Sequence, residues 1–450
     1  MTNLFFWGGN YLIFNYLTYY PTSFLALMLD KDLKIGIVGL GYVGLPMACM
    51  FSQRYKVVGY DFNQARVHEI NNGRDYTAEV SPSELAEALR NGLRCTSDAA
   101  DLSDCGVIIV AVPTPVDSDN RPDFGPLELA SRAIGKVMPR NCIVIYESTV
   151  SPGTTEEICV PILAEMSGME YNRDFFAGYS PERVNPGDSR HTVRNIRKIV
   201  SGSTPEVADK VEQLYDSVLD APTFRASSIR VAEAAKIIEN TQRDVNIALV
   251  NEFTRIFNAM DIDVDEVIEA AATKWNFHPY RPGLVGGHCI GVDPYYLIHK
   301  AEEYGVKSGL IATARNVNEE MSCYLADTTI KSLRKTGVDP GKANILILGF
   351  AFKPDCPDIR NTKSYDVYRA LSAVSPTVTI YDPVVNPIDV MRDYNGLSVA
   401  TEPNSVKACA PFDAIVRCTH HKYFEKLPLA ELLTSDGIDV SLSKASHPHH

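Results

Sequence analysis

The apolar run Ile35-Gly36-Ile37-Val38 leads directly into Gly39-Leu40-Gly41-Tyr42-Val43-Gly44, and helical sequence follows to about Arg54. Glycines in this position allow a tight strand-to-helix turn and let the backbone approach a pyrophosphate at the helix N-terminus. A second apolar run, Lys56-Val57-Val58-Gly59-Tyr60, then ends in Asp61. Strand, glycine turn, helix, strand and acid in that order form a βαβ unit, which commits this part of the chain to a parallel, doubly wound sheet. A carboxylate at Asp61 suits the ribose hydroxyls of NAD and repels the 2′-phosphate of NADP, so NAD is the expected cofactor. Arg66 is the nearby group that could offset that preference.

At 450 residues the chain is too long for one core. The runs Val107-Ile108-Ile109-Val110-Ala111-Val112 and Cys142-Ile143-Val144-Ile145-Tyr146 extend the first sheet, and a dinucleotide-binding domain is read over 31–225. Residues 226–335 read as helical. A long helix is predicted between Ser227 and Met260, and another follows Asp263. A Pro- and Gly-rich loop from Trp275 to Pro294 comes next, then helical sequence from Ala312 to Lys335. A second α/β sheet is expected over 336–440, from the runs at Ala343–Gly349, Val378–Asp382 and Ala414–Val416, without a full glycine fingerprint. The fold class is therefore α/β, with two Rossmann-like doubly wound domains joined by a central helical region.

A net charge of −13 without a long basic run argues against nucleic acid or an anionic membrane as partner. The ten cysteines show no paired metal-ligand spacing, so no metal is expected, and reduced thiols in a cytosol are the simplest account. Residues 1–30 form an atypical leader, uncharged from Met1 to Leu29. Gly8-Gly9, Asn10, Asn15 and Pro21 interrupt its apolar run, which speaks against a membrane anchor. The histidine-rich 441–450 is an equally atypical tail.

Chemistry concentrates in the loop Gly286-Gly287-His288-Cys289, with Asp293 four residues beyond the cysteine. A thiol serving a hydride acceptor suggests oxidation past an aldehyde, because a thiohemiacetal can lose a second hydride and leave a hydrolysable thioester. Glu233, Lys236 and Asn240 share one face of the long helix, either as a solvated stripe or with Lys236 and Asn240 as donors toward the cysteine loop. Thr114 and Thr149 follow strands, where open parallel sheets bind ligands, and either could instead serve a turn or helix cap. Glu182 is an acid–base or substrate-positioning candidate, or else a surface ion-pair partner of Arg183.

These motifs occur together and in order: Gly39-Leu40-Gly41-Tyr42-Val43-Gly44-Leu45-Pro46, Glu233-Ala234-Ala235-Lys236 with Asn240, Gly286-Gly287-His288-Cys289, and Gly349-Phe350-Ala351-Phe352-Lys353 with Asp358-Ile359-Arg360. In this the chain resembles the UDP-glucose/GDP-mannose dehydrogenase family over about residues 31–440. The resemblance implies an NAD-binding Rossmann domain, a central helical region that forms a homodimer, and a C-terminal nucleotide-sugar domain. It implies that Cys289 is the nucleophile, that Lys236 and Asn240 steady the oxyanion and substrate, and that Asp293 is linked to the hydrolytic water. It also implies that Thr149 and Glu182 hold a water and assist proton transfer. Asp61, Arg66, Thr114 and Arg360 would join the glycine turn in holding NAD. Arg183, Val184, Tyr280, Arg281, Gly286 and Lys353 would join Glu182, Lys236 and Asn240 in holding a UDP-sugar.

The stretches Ser180–Asp188 and Lys274–Cys289 look most like the bacterial members that act on UDP-N-acetylhexosamines. The activity so implied is a four-electron oxidation of the C6 alcohol, with the N-acetylglucosamine sugar first and N-acetylgalactosamine, N-acetylmannosamine or glucose as alternatives. A single-hydride 3-hydroxyacid dehydrogenase and a nucleotide-sugar-binding protein without turnover are the competing readings. Where the family continues past Val440 with a last strand and a basic turn, Ser441 to His450 stands here, so the final sheet edge is expected to be altered.

Overall fold

The first-domain strands are apolar at nearly every position because helices cover both faces of their sheet. In the computed structural model, which describes residues 32–77, 79–184 and 192–443, this sheet holds β1 (Lys34–Val38), β2 (Lys56–Tyr60), β3 (Arg94–Thr96), β4 (Val107–Val110), β5 (Ile143–Tyr146), β6 (Phe176–Tyr179), β7 (Ile199–Gly202) and β8 (Phe224–Arg225). The leader read at 1–30, Asn185 to Asp188 of the glutamate motif, and the tail from 444 lie outside the described residues. Strand order is β3-β2-β1-β4-β5-β6-β7-β8. Neighbours run parallel except β7, which runs antiparallel to β6. Side chains alternate between faces, so Ile37, Ile109 and Ile145 join one buried cluster while Ile108, Val110 and Val144 join another.

The helix Ile229–Ala259 begins where the Ser228 side chain accepts from the Val231 N–H. The helix Gly309–Lys335 packs along it. Between them lies a buried polar seam: Arg315 Nη1 donates to Asp244 Oδ1 at 2.6 Å, and Asn318 Nδ2 to the same oxygen at 2.7 Å. Asn251 belongs to this seam and holds Gly283 by both backbone groups, at 3.0 and 2.9 Å, which fixes the root of the cysteine loop. The loop ends sooner than the sequence reading had it, because a helix spans Asp293–Glu303. Pro294 falls in its first turn, where a missing N–H costs nothing.

The second sheet, in the third domain, contains β9 (Asn344–Leu348), β10 (Thr377–Tyr381), β11 (Phe412–Arg417) and β12 (Leu433–Ser441), in the order β10-β9-β11-β12 and all parallel. The altered edge expected at 441 does not interrupt the sheet. Ile438 to Ser441 pair with Ala414 to Arg417, and Ser443 Oγ donates to Asp265 Oδ1 at 2.8 Å.

Candidate active site

A cavity of about 2060 Å³ opens at the carboxyl edge of the first sheet, walled by the glycine turn, the cysteine loop and the segment Cys356–Asn361 of the third domain. Gly39 has φ +89°, and a Cβ there would stand 2.8 Å from the Ala111 carbonyl oxygen. A Cβ on Gly44 would stand 1.7 Å from the Gly39 oxygen, whereas one on Gly41 would meet nothing within 4 Å. The turn is thus closed on its protein side and open toward the cavity, as a dinucleotide requires. Leu40 N donates to Asp61 Oδ2 at 2.9 Å, and Asp61 remains partly exposed at the cavity wall.

Arg66 is buried against this turn. Its Nε donates to the Leu40 carbonyl at 2.9 Å, its Nη2 to Asp75 Oδ1 at 2.7 Å, and the guanidinium stands 4.4 Å from the centre of the Tyr76 ring. Arg360 reaches across from the third domain, with its guanidinium carbon 4.4 Å from the Tyr42 ring centre and its Nε donating to Asp358 at 3.0 Å.

The cysteine loop is shaped by the third domain as well. Gly287 N donates to the Asn361 carbonyl at 3.2 Å, and Asn361 Nδ2 donates back to the Gly287 carbonyl at 3.1 Å. Gly287 takes φ +81° with the Phe352 ring where a Cβ would stand, and a Cβ on Gly286 would lie 2.6 Å from the Asn361 oxygen. Cys289 follows, and its carbonyl accepts from Asp293 N at 2.8 Å, so the thiol sits at the start of the helix Asp293–Glu303. That helix is tied to the first sheet by Tyr296, whose hydroxyl donates to the Thr114 and Pro115 carbonyls at 2.9 and 3.0 Å.

Burial, with the Asp293 carboxylate behind it, pushes the Cys289 thiol up to about 11 against the pull of Lys236, Arg360 and Lys353. Burial also raises Asp293 to about 6, opposed by the Lys236 ammonium and by Asn240, whose Nδ2 donates to Asp293 Oδ2 at 2.5 Å. His288 is lowered to about 4, first by burial and then by Arg360, so it carries no charge with which to assist the neighbouring sulfur near neutral pH.

Of the three long-helix residues, none lies on a solvated stripe. Glu233 is fully buried and accepts from Gly153 N at 2.5 Å and Thr155 N at 2.9 Å, which fastens the loop after Thr149 to the helix that carries Lys236. Thr114 Oγ1 donates to the Thr149 carbonyl at 2.7 Å. Glu182 is not an ion-pair partner of Arg183. Its Oε1 accepts the amides of Arg183 and Val184 at 2.7 and 2.6 Å, while the Arg183 guanidinium turns to Glu239 at 2.8 Å.

The cavity wall therefore unites Lys236, Cys289, Asp293, Thr114, Thr149, Glu182 and Val184 with the glycine turn, Asp61, Arg66 and Arg360. Asn240, Arg183, Gly286 and Lys353 do not line the cavity. Tyr280 and Arg281 lie farther off, with Tyr280 bonded to Gln242 and Arg281 to Asp265. Sequence reasoning passed over Lys198, a buried lysine beside Glu147 and Glu182. Its only signal in the sequence is a charged residue directly before the apolar run of β7.

Among the described residues no helix is long and apolar enough to cross a membrane. Family models of the UDP-glucose/GDP-mannose dehydrogenase family match in three parts: the NAD binding domain at 33–219, the central domain at 230–320 and the UDP binding domain at 346–438. The chain is 50% identical over 397 residues to a UDP-N-acetyl-D-glucosamine 6-dehydrogenase of Pseudomonas aeruginosa, a match covering 88% of this chain and 92% of the relative. A Salmonella typhi protein of the same name is 48% identical over 396 residues, again 88% of this chain and 92% of the relative. Among solved structures, a UDP-D-ManNAc dehydrogenase from Pyrococcus horikoshii superposes with a TM-score of 0.81 at 33% identity, covering 91% of this chain and 99% of that one. With the glycine turn, the thiol loop and all three matched domains in hand, the chain belongs to the UDP-glucose/GDP-mannose dehydrogenase family and is an NAD-dependent UDP-sugar dehydrogenase.

Proposed function

We propose that this protein oxidises the C6 alcohol of UDP-N-acetylglucosamine to the uronic acid, removing four electrons through a sugar covalently held on Cys289. The observation that carries the reading is the meeting of Cys289, Lys236 and the Asn240–Asp293 pair in one cavity with a dinucleotide turn. The N-acetylglucosamine assignment is supported by the names of the two relatives near 50% identity.

The glycine turn, Asp61 and Arg360 would hold NAD, which would supply the hydride acceptor for both oxidations. Glu182 takes the proton of the C6 hydroxyl, with Thr149 steadying a water beside it. The Cys289 sulfur then bonds to the aldehyde carbon. Because burial and Asp293 keep the thiol neutral, it gives up its proton during attack, and that proton ends on the former carbonyl oxygen beside the Lys236 ammonium. After the second oxidation the sulfur holds a thioester. Asp293, oriented by Asn240, takes a proton from the water that cleaves it, releasing the thiol and the carboxylate.

The long helix leaves Ile238, Leu249, Ile256 and Met260 exposed. These residues support a homodimer through that helix.

Two NADH per sugar and an acid product are expected from UDP-N-acetylglucosamine, in preference to the N-acetylgalactosamine, N-acetylmannosamine and glucose nucleotides. Cys289→Ser is expected to lose acid formation by about 10³-fold or more. One NADH per sugar with free aldehyde as the end product, or full acid formation by the serine variant, would remove the thiol from the reaction.

A further inference from the structure

Lys198 is buried to 1% exposure at the first residue before β7. In a wholly parallel sheet, a residue preceding a strand lies at the edge opposite the ligands. Because β7 runs antiparallel to β6, Lys198 enters at the carboxyl edge instead, beside the residues that follow β5 and β6. Its Nζ donates to Glu147 Oε2 at 2.5 Å and to the Pro181 carbonyl at 3.2 Å, and it stands 3.6 Å from Glu182 Oε2. Tyr215, on the helix Pro205–Asp216, donates its hydroxyl to the other oxygen of Glu147. One ammonium therefore faces two carboxylates, and both carboxylates line the cavity.

We infer that Lys198 is a positioning residue for Glu182: anchored on Glu147, its ammonium fixes the Glu182 carboxylate in place at the cavity wall. The inference rests on the reading of Glu182 as the group that takes the C6 hydroxyl proton. The two oxygens of Glu182 are fixed from opposite sides, one by the amides of Arg183 and Val184 and the other by this ammonium. A merely structural counter-ion would need only Glu147. Burial alone would lower the Lys198 ammonium, but Glu147 and Glu182 outweigh it and keep it protonated. Burial raises Glu147 to about 7, opposed by Lys198 and Tyr215, with Glu182 adding to the rise.

The test follows the first phase of NADH formation against pH, with enzyme in excess over UDP-N-acetylglucosamine. Asp293 acts only later, when water cleaves the thioester, so this phase isolates Glu182. Removing a cation raises a neighbouring carboxylate, so Lys198→Met is expected to slow the phase about 10²-fold and to move its acidic limb up by about one pH unit. Lys198→Arg, which keeps the charge, is expected to return the limb toward that of the wild type. Glu147→Gln takes away the anchor that shares Lys198 and leaves the ammonium to Glu182 alone, so its limb is expected to move down.

Opposite displacements by the methionine and glutamine variants support the inference. Rates that scale equally at every pH, with unmoved limbs, overturn it. If the methionine variant does not fold, Glu147→Gln decides alone: a lowered limb supports the role, and an unmoved or raised limb overturns it. Absence of NADH from the wild type with every UDP-sugar would instead overturn the reading of the whole site, and this inference with it.

Discussion

The first and third domains contain the same backbone turn with opposite uses of its acid. Gly39 N donates to the Tyr60 carbonyl and Gly349 N to the Tyr381 carbonyl, each at 2.9 Å, and the two glycines share φ near +90°, at +89° and +87°. Leu40 N then reaches Asp61 at 2.9 Å, as Phe350 N reaches Asp382 at 2.7 Å. In the first domain the carboxylate stays partly exposed beside a glycine that opens on the cavity. In the third it is fully buried, accepting also from Ala351 N, Val384 N and His421 Nε2. One acid is thus available to a ligand, and the other is saturated by its own chain. The strand-turn-acid geometry is a scaffold, and the residues around the acid decide whether it binds anything.

The largest effects should come from the glycines. Gly44→Ala drives a Cβ into the Gly39 carbonyl and is expected to abolish NAD binding and cost about 3 kcal/mol or more. Gly349→Ala meets Thr419 at 2.5 Å in a left-handed conformation and is expected to cost a similar amount while the folded fraction still binds NAD. Denaturant unfolding and NAD titration read both.

Next come the acids. Asp382→Asn should destabilise by about 2–3 kcal/mol and leave the KM for NAD unchanged. Asp61→Asn should leave stability nearly unchanged, raise the KM for NAD about tenfold and relax discrimination against NADP. The reverse pattern would break the comparison.

A smaller effect is expected from pH. Burial would raise the Asp382 carboxyl, but His421 and the two turn amides outweigh it and hold it below the usual carboxylate range. A depressed native value gives stability that is present above the unfolded value, near 3.9, and is lost as pH falls through the native one. The contribution of this residue should therefore be full and independent of pH between about pH 5 and 8 in thermal unfolding, and Asp382→Asn should remove part of the acid sensitivity below about 4. The smallest effect is expected from Arg360→Lys. Without the flat guanidinium over Tyr42, about 1 kcal/mol is lost, which is roughly a fivefold rise in the KM for NAD.

Much of this architecture could be read from local pattern. The run into Gly39, the spacing to Asp61 and the three apolar runs of the second sheet all lie within short windows, and each named its strand. What escaped depends on contacts far apart in sequence. Lys198 matters because β7 is antiparallel, and nothing near residue 198 encodes that direction. Glu233 looks like a surface glutamate until Gly153 and Thr155 are brought to it from 78 to 80 positions away. Arg66 counts as a cofactor contact only through the family resemblance, and its bonds to Leu40, Glu69 and Asp75, which also brace the turn from beneath, have no local signal. The helix at Asp293 was hidden because Pro294 signals a break everywhere except in a first turn.

Asn361 holds Gly287 through both backbone groups, only two residues from Cys289, while Lys236 belongs to a separate helix. The helix that follows the thiol is pinned to the first sheet by Tyr296, so the sulfur is suspended between two anchors in different domains and its address is written jointly by both.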